Sequence, residues 1–214
     1  MQLLGTIRLI EKQIKSFLLP SVTKISKQRD PYRVLISCIL SLRTKDKTTL
    51  EASRRLFRVA DNPKSMLRLN PRKIQKLIYP VGFYRNKSRQ ILGISRALVE
   101  DYSARVPDSF GVLLGLKGVG RKTANLVLGL GFRIPSICVD THVRRITNRL
   151  GWIKTPNPQA TEFALQRILP KREWININTT LVTFGQNICL PVSPFCSRCR
   201  VFKFCKRTGV ARSR

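Results

Sequence analysis

Near its C-terminus the chain reads CLPVSPFCSRCRVFKFC, which sets Cys189, Cys196, Cys199 and Cys205 at the spacing C-x6-C-x2-C-x5-C. A thiolate is a soft anionic ligand, and four within 17 residues suit a metal site better than a hydrophobic core. Structural zinc usually pairs two close CxxC knuckles. Here a single CxxC is flanked by longer arms, so a loop wrapped around a [4Fe-4S] cluster is the favoured reading and zinc the other. Cys38 sits in an apolar helical run and Cys138 in a short extended piece; both read as small core residues. Neither has a histidine beside it, and His142 is the only one in the chain.

A second stretch with chemical content is LKGVGRKTANLVLGLGF at 116–132. A phosphate-binding loop of the form G-x4-G-K-[ST] nearly fits from Gly115 to Gly120, but Arg121 occupies the lysine slot and no strand precedes it. A helix–hairpin–helix over about 108–131 fits better. In it, Gly118 and Gly120 are expected to adopt unusual backbone angles and to let another chain approach closely. N–H groups at the new helix's start would then face an anion such as a DNA phosphate. Arg121 and Lys122 follow. Downstream, Asp140 in VDTHVRR opens a helix, where capping is its ordinary role.

The elements that must position these residues are nearly all helical. Apolar residues recur at a period near 3.6, with helices expected at about 3–18, 32–42, 45–59, 63–69, 71–78, 85–102, 108–115, 121–131, 140–150, 158–168 and 173–188. Four Asx-Pro pairs (Asp30-Pro31, Asn62-Pro63, Asn70-Pro71 and Asn157-Pro158) each put a proline just inside a helix. PSICVD at 135–140 is the one short extended candidate, and VLISCILSL at 34–42 reads as a buried helix. The tail KRTGVARSR at 206–214 is expected to fray.

Composition sharpens the choice of partner. Across 214 residues, 41 Lys and Arg face 11 Asp and Glu, a net charge of +30. The cations run along the whole chain, which points to a polyanion such as DNA or RNA rather than to a basic tail on a neutral globule. No apolar run approaches the roughly 20 residues that span a bilayer, and the N-terminus shows no secretion signal. The reading is therefore a protein of the cytoplasm or nucleoid, with no membrane contact, in a reducing compartment where disulfides are disfavoured.

Taken together, LKGVGRKTANLVLGLGF, then ICVDTHVRRITNRLGW, then the four-cysteine loop resemble the endonuclease III family of DNA glycosylases. That family lies within the helix–hairpin–helix, Gly/Pro-rich-loop, Asp superfamily. DPYRVLISCILSLRTKDKTT looks like the family's early helix and loop, and VGFYRNKSRQI like its glycine-aromatic turn. The likeness covers about residues 25–205. It implies an all-α, two-lobed fold with a C-terminal [4Fe-4S] loop. A six-helix barrel lobe would cover about 26–134, and a cluster lobe 1–25 with 135–214, its loop at 189–205. DNA would bind in the cleft between lobes.

The resemblance also implies a monomer that repairs double-stranded DNA carrying damaged bases or abasic sites, with oxidised pyrimidines as the typical substrate. By position Lys122 matches the catalytic lysine, whose amine would displace the base at the sugar C1′ and leave an imine. β-Elimination would then cut the strand. Asp140 matches the catalytic aspartate, assigned to proton handling. DNA contacts would involve Leu116, Gly118, Gly120, Arg121 and Thr123 of the hairpin, with Arg43 and Phe83 entering the duplex. Arg43 stands where the family commonly has Gln, Phe83 where Leu is frequent, and Lys117 where Pro is frequent. The first cysteine arm, LPVSPF, carries no cation, so phosphate contacts there would shift to Arg198, Arg200 or Lys203. The alternatives are a monofunctional mismatch glycosylase (thymine, uracil or adenine) of the same superfamily and a non-enzymatic iron–sulfur DNA-binding protein.

Overall fold

Each Asx-Pro pair starts a helix, and each Asx side chain accepts main-chain N–H groups of the first turn. Asp30 accepts from Tyr32 and Arg33, Asn62 from Ser65, Asn70 from Lys73 and Asn157 from Ala160. Proline fixes the first helical φ while its missing N–H costs nothing there, so cap and proline act together. The computed structural model describes residues 3–214. Among them every regular element is helical, as the period of the apolar residues requires. None of these helices is long and apolar enough to cross a membrane.

The chain divides into two units, Ser21–Ser136 and Met1–Pro20 with Ile137–Arg214. Helix α1 (Leu3–Ile14) belongs to the second of these. The first holds α2 (Ser21–Ser26), α3 (Pro31–Ser41), α4 (Asp46–Phe57), α5 (Pro63–Leu67), α6 (Pro71–Ile78), α7 (Tyr84–Asp101), α8 (Phe110–Gly115) and α9 (Arg121–Leu126). The unit that contains α1 is completed by α10 (Thr141–Leu150), α11 (Pro158–Ile168) and α12 (Trp174–Asn187).

Within Ser21–Ser136 the organising element is α3. Every residue from Val34 to Leu40 is buried, so this helix is apolar on all sides and must be enclosed. Helices α2, α4, α7 and α9 pack around it. Helix α2 has no counterpart in the period of the sequence. Its first N–H is met not locally but by the Asp46 carboxylate, which accepts from Ser21 N at 2.9 Å and from the Ser21 hydroxyl at 2.7 Å. The expected helix at 121–131 is α only to Leu126 and then widens into a π-turn over Val127–Gly131. There Gly131 lies against the start of α3, where a Cβ would come within 3.1 Å of Pro31 Cα.

In the other unit α12 packs against α1 and α10. Ile7 and Ile10 of α1 share a core with Val143, Ile146, Leu181 and Phe184, so residues from both ends of the sequence enclose one apolar interior. Gly185 permits close approach of α10, because a Cβ there would collide with His142 Nδ1. The segment 135–140 has no strand partner. Ile137, Cys138 and Val139 are buried, and Asn178 Nδ2 donates to Cys138 O at 3.1 Å. The C-terminal tail does not fray as expected. Arg214 N donates to Pro194 O at 2.8 Å, Ser197 N donates to Arg214 O at 3.0 Å, and the Arg214 guanidinium stacks 4.2 Å from the Phe195 ring centroid.

Because α3 is the enclosed helix, its cap should be worth measuring. Asp30→Ala is expected to lower the unfolding free energy by about 1–2 kcal/mol, whereas Asp30→Asn retains most of it. Urea unfolding followed by circular dichroism checks this; an Ala variant as stable as wild type refutes it.

Candidate active site

The hairpin of the sequence is present in Ser21–Ser136. Helix α8 ends at Gly115, Val119 N donates to Leu116 O at 2.9 Å to close the turn, and α9 begins at Arg121. Gly118 has φ +84°, which favours glycine. Its carbonyl accepts from Gln90 Nε2 of α7 at 2.9 Å. Gly120 departs from expectation, since φ −97° and ψ 174° are ordinary extended angles. What Gly120 contributes is bareness: it is exposed, a Cβ there would meet nothing within 4 Å, and no side chain caps α9.

The hairpin residues expected to touch DNA separate into two kinds. Leu116 and Thr123 are 4% and 3% exposed, so their side chains are packed inward. In the same turn Lys117, Gly118 and Gly120 are exposed. Arg121 is half-buried, with its guanidinium 4.8 Å from the centroid of Phe110 on α8, a contact that braces the two hairpin helices. Lys122 is the second residue of α9 and half-buried, followed by the buried run Thr123–Leu126. Its charge acts on Cys38 of α3. Burial pushes the Cys38 thiol up to about 12, and the Lys122 ammonium pulls in the opposite direction.

Arg43 and Phe83 are 40 positions apart in sequence yet meet in space, with the guanidinium 5.5 Å from the ring centroid. Both are exposed, Phe83 by 57%. Both also have left-handed backbones, φ 51° and 59°, a conformation that costs roughly 1–2 kcal/mol for a side-chain-bearing residue. Two cations hold their loops. Arg55 donates to Leu77 O at 2.8 Å and to Tyr79 O. Lys87, only 5% exposed, donates to Leu40 O, Leu42 O and Thr44 Oγ1. Nothing in the sequence separated these two from the other cations, because their roles depend on helix ends brought near by packing.

Asp140 lies in the unit with α10. Its Oδ1 accepts from His142 N and Val143 N, each at 2.9 Å, so it is the N-cap of α10. One turn further, Arg145 donates to Cys189 O at 2.8 Å and lies 3.2 Å from His142 Nδ1. Burial pushes the Arg145 guanidinium down from its ordinary value, while Cys189 and Asp140 act to raise it. Arg149, 8% exposed, donates to Leu190 O and Pro191 O, each at 2.6 Å, and reaches Cys189 Sγ at 3.6 Å. The cations for the first cysteine arm thus come from α10 and, through Arg214, from the tail.

The four cysteines are free and line one small apolar cavity together with Phe184, Ile188 and Val201. Burial pushes the Cys199 thiol up to about 11, and Cys189, Cys205 and Cys196 add to the rise; Cys205 is raised for the same reasons. Four thiolates in an apolar cavity repel one another, so this donor set calls for a cationic partner. Among the described residues no three His, Cys, Asp or Glu side chains converge on a single ion position.

Residues 36–171 match the HhH-GPD family, the HhH-GPD superfamily base excision DNA repair protein. Endonuclease III of Thermotoga maritima is 50% identical over 180 residues, 84% of each chain. The chloroplastic Endonuclease III homolog 1 of Arabidopsis thaliana is 42% identical over 183 residues, although the chain spans only 48% of that longer protein. A solved structure of a trapped Endonuclease III–DNA covalent intermediate is similar with a TM-score of 0.78 at 34% identity, covering 83% of this chain and 84% of that one. With the hairpin in place and a 50% identical relative matched over most of both chains, the protein belongs to the endonuclease III family of the HhH-GPD superfamily of base excision DNA repair proteins.

Proposed function

We propose that this chain is a DNA glycosylase with abasic-site lyase activity that removes oxidised pyrimidines from duplex DNA through an imine on Lys122. The observation that carries the reading is the similarity to a relative captured covalently bound to DNA. Lys122 supplies a half-buried amine at the start of the hairpin's second helix, whereas Lys117 in the turn is exposed.

The damaged nucleotide must leave the base stack, because the bond to be broken is unreachable inside it. The Lys122 amine then attacks the sugar C1′, and the base departs with the electrons of the glycosidic bond. Loss of the amine proton and opening of the ring leave an imine at C1′. The imine acidifies the C2′ proton; its removal expels the 3′ phosphate and cuts the strand. Hydrolysis of the imine frees the lysine. Asp140 handles protons and stabilises the cationic sugar, a role compatible with capping because a carboxylate has two oxygens. Backbone N–H groups near Gly118 and Gly120 hold a phosphate, with Arg121 adding charge. Arg43 and Phe83 enter the duplex; an inserted phenyl ring unstacks a base step, and a guanidinium hydrogen-bonds the orphaned base.

Cys189, Cys196, Cys199 and Cys205 would hold a [4Fe-4S] cluster, since one CxxC flanked by longer arms suits it better than it suits the paired knuckles of structural zinc. When bound, such a cluster supplies cross-linking of the loop. Arg145 and Arg149 hold the first arm in register for it.

Three measurements test these assignments. Borohydride should trap wild type on duplexes bearing thymine glycol or a plain abasic site, and Lys122→Ala should lose trapping by at least about a thousandfold. Excision without any trapped adduct would point instead to a monofunctional glycosylase. Asp140→Asn keeps a good N-cap and should unfold like wild type, yet excise about 10²–10⁴-fold more slowly; an active, stable variant would leave Asp140 with capping alone. Purified protein should be brown with about four irons per chain, and a colourless protein with one zinc would overturn the cluster assignment.

A further inference from the structure

Lysine is rarely buried without an acidic partner, yet the three donors of Lys87 all go to neutral acceptors. Two are carbonyls at the end of α3, Leu40 O at 2.9 Å and Leu42 O; the third is Thr44 Oγ1 at 3.2 Å. Three acceptors need three N–H groups, which only the ammonium provides. Burial pushes Lys87 down to about 8, which still leaves it mostly charged at pH 7.

Thr44 extends the contact. Its hydroxyl donates to Leu42 O at 3.2 Å and accepts both from Lys87 and from Gly82 N at 3.1 Å. One donor and two acceptor positions are therefore all used. Gly82 lies so near the first loop that a Cβ would come within 2.5 Å of Arg43 O. The loop after α3 carries Arg43, and the turn before α7 carries Phe83. Lys87, one turn into α7, also donates its own N–H to Phe83 O at 3.0 Å.

We infer that Lys87 is a positioning residue for DNA opening: through Thr44 it locks the loop at 41–44 to the turn at 80–83, so that Arg43 and Phe83 enter the duplex as one stacked unit. This rests on the reading of Arg43 and Phe83 as the residues that enter DNA. The lock has something to hold, since both residues have left-handed backbones that a free loop would relax. A clamped pair also loses less conformational freedom on insertion than two mobile side chains would.

The experiment compares wild type, Lys87→Met, Thr44→Val, Thr44→Ser and an Arg43→Ala/Phe83→Ala double variant. Single-turnover excision is measured on a duplex lesion with 2-aminopurine opposite it, which reports unstacking. Imine trapping is measured at an abasic site in single-stranded DNA, which has no helix to open. Lys87→Met and Thr44→Val should lose about tenfold or more on the duplex, the effect of one or two buried hydrogen bonds. Their single-strand trapping should stay within about threefold of wild type, and the 2-aminopurine signal should fall. Thr44→Ser, which keeps the hydroxyl, should restore both. If duplex and single-strand rates fall together, or neither falls, Lys87 merely plugs the core and the inference is overturned; Thr44→Val decides this should Lys87→Met fail to fold. If the double variant opens and excises the duplex lesion like wild type, the reading of Arg43 and Phe83 is itself wrong, and the inference falls with it.

Discussion

A helix enclosed on all sides cannot end without partners for its last carbonyls, and much of the Ser21–Ser136 unit follows from that. Helix α3 is buried from Val34 to Leu40, so water is not available along its length. At its start Asp30 meets the free N–H groups. At its end the Lys87 ammonium meets the carbonyls of Leu40 and Leu42. The residues that follow are thereby held in place where the chain leaves the interior, and there stands Arg43. The bonds that terminate the buried helix also hold the backbone that carries the exposed Arg43 side chain.

The imbalance of 41 cations against 11 acids has a structural counterpart. Cations that turn inward cannot all find carboxylates, and several use main-chain carbonyls instead. Lys87, Arg55, Arg145 and Arg149 each donate to such carbonyls near helix ends or in loops. Others lie over aromatic rings, as Arg43 does over Phe83, Arg121 over Phe110 and Arg214 over Phe195. Neither arrangement cancels the positive charge. The fold can therefore use cations for its own cohesion and still present a field that attracts a polyanion.

In the unit that contains α10, one helix connects Asp140 to the cysteine loop. Asp140 begins it, and Arg145 and Arg149, one and two turns along, hold the first arm of the cysteine loop. Close packing of α12 makes this possible, since Gly185 leaves room for His142 and Arg145. A side chain at that position would push α10 away and disturb the loop as well as the cap.

The sequence alone determined whatever depends on neighbours within a few positions. The Asx-Pro pairs located four helix starts because cap and proline act within one turn, and the cysteine spacing was plain because the four thiols share one short loop. The turn at Gly118 was legible for the same reason. Tertiary structure decided whatever joins distant segments. Helix α2 is capped by Asp46, 25 positions away, so no local signal marks its start. The π-turn and the need for Gly131 arise from contact with Pro31, the tail is held by a loop some 20 residues earlier, and Gly120 turned out to need no special angle. Lys87 looked like any other cation, because burial and the choice of partner are properties of packing; only when α3 and α7 come together do its three N–H groups acquire their three acceptors.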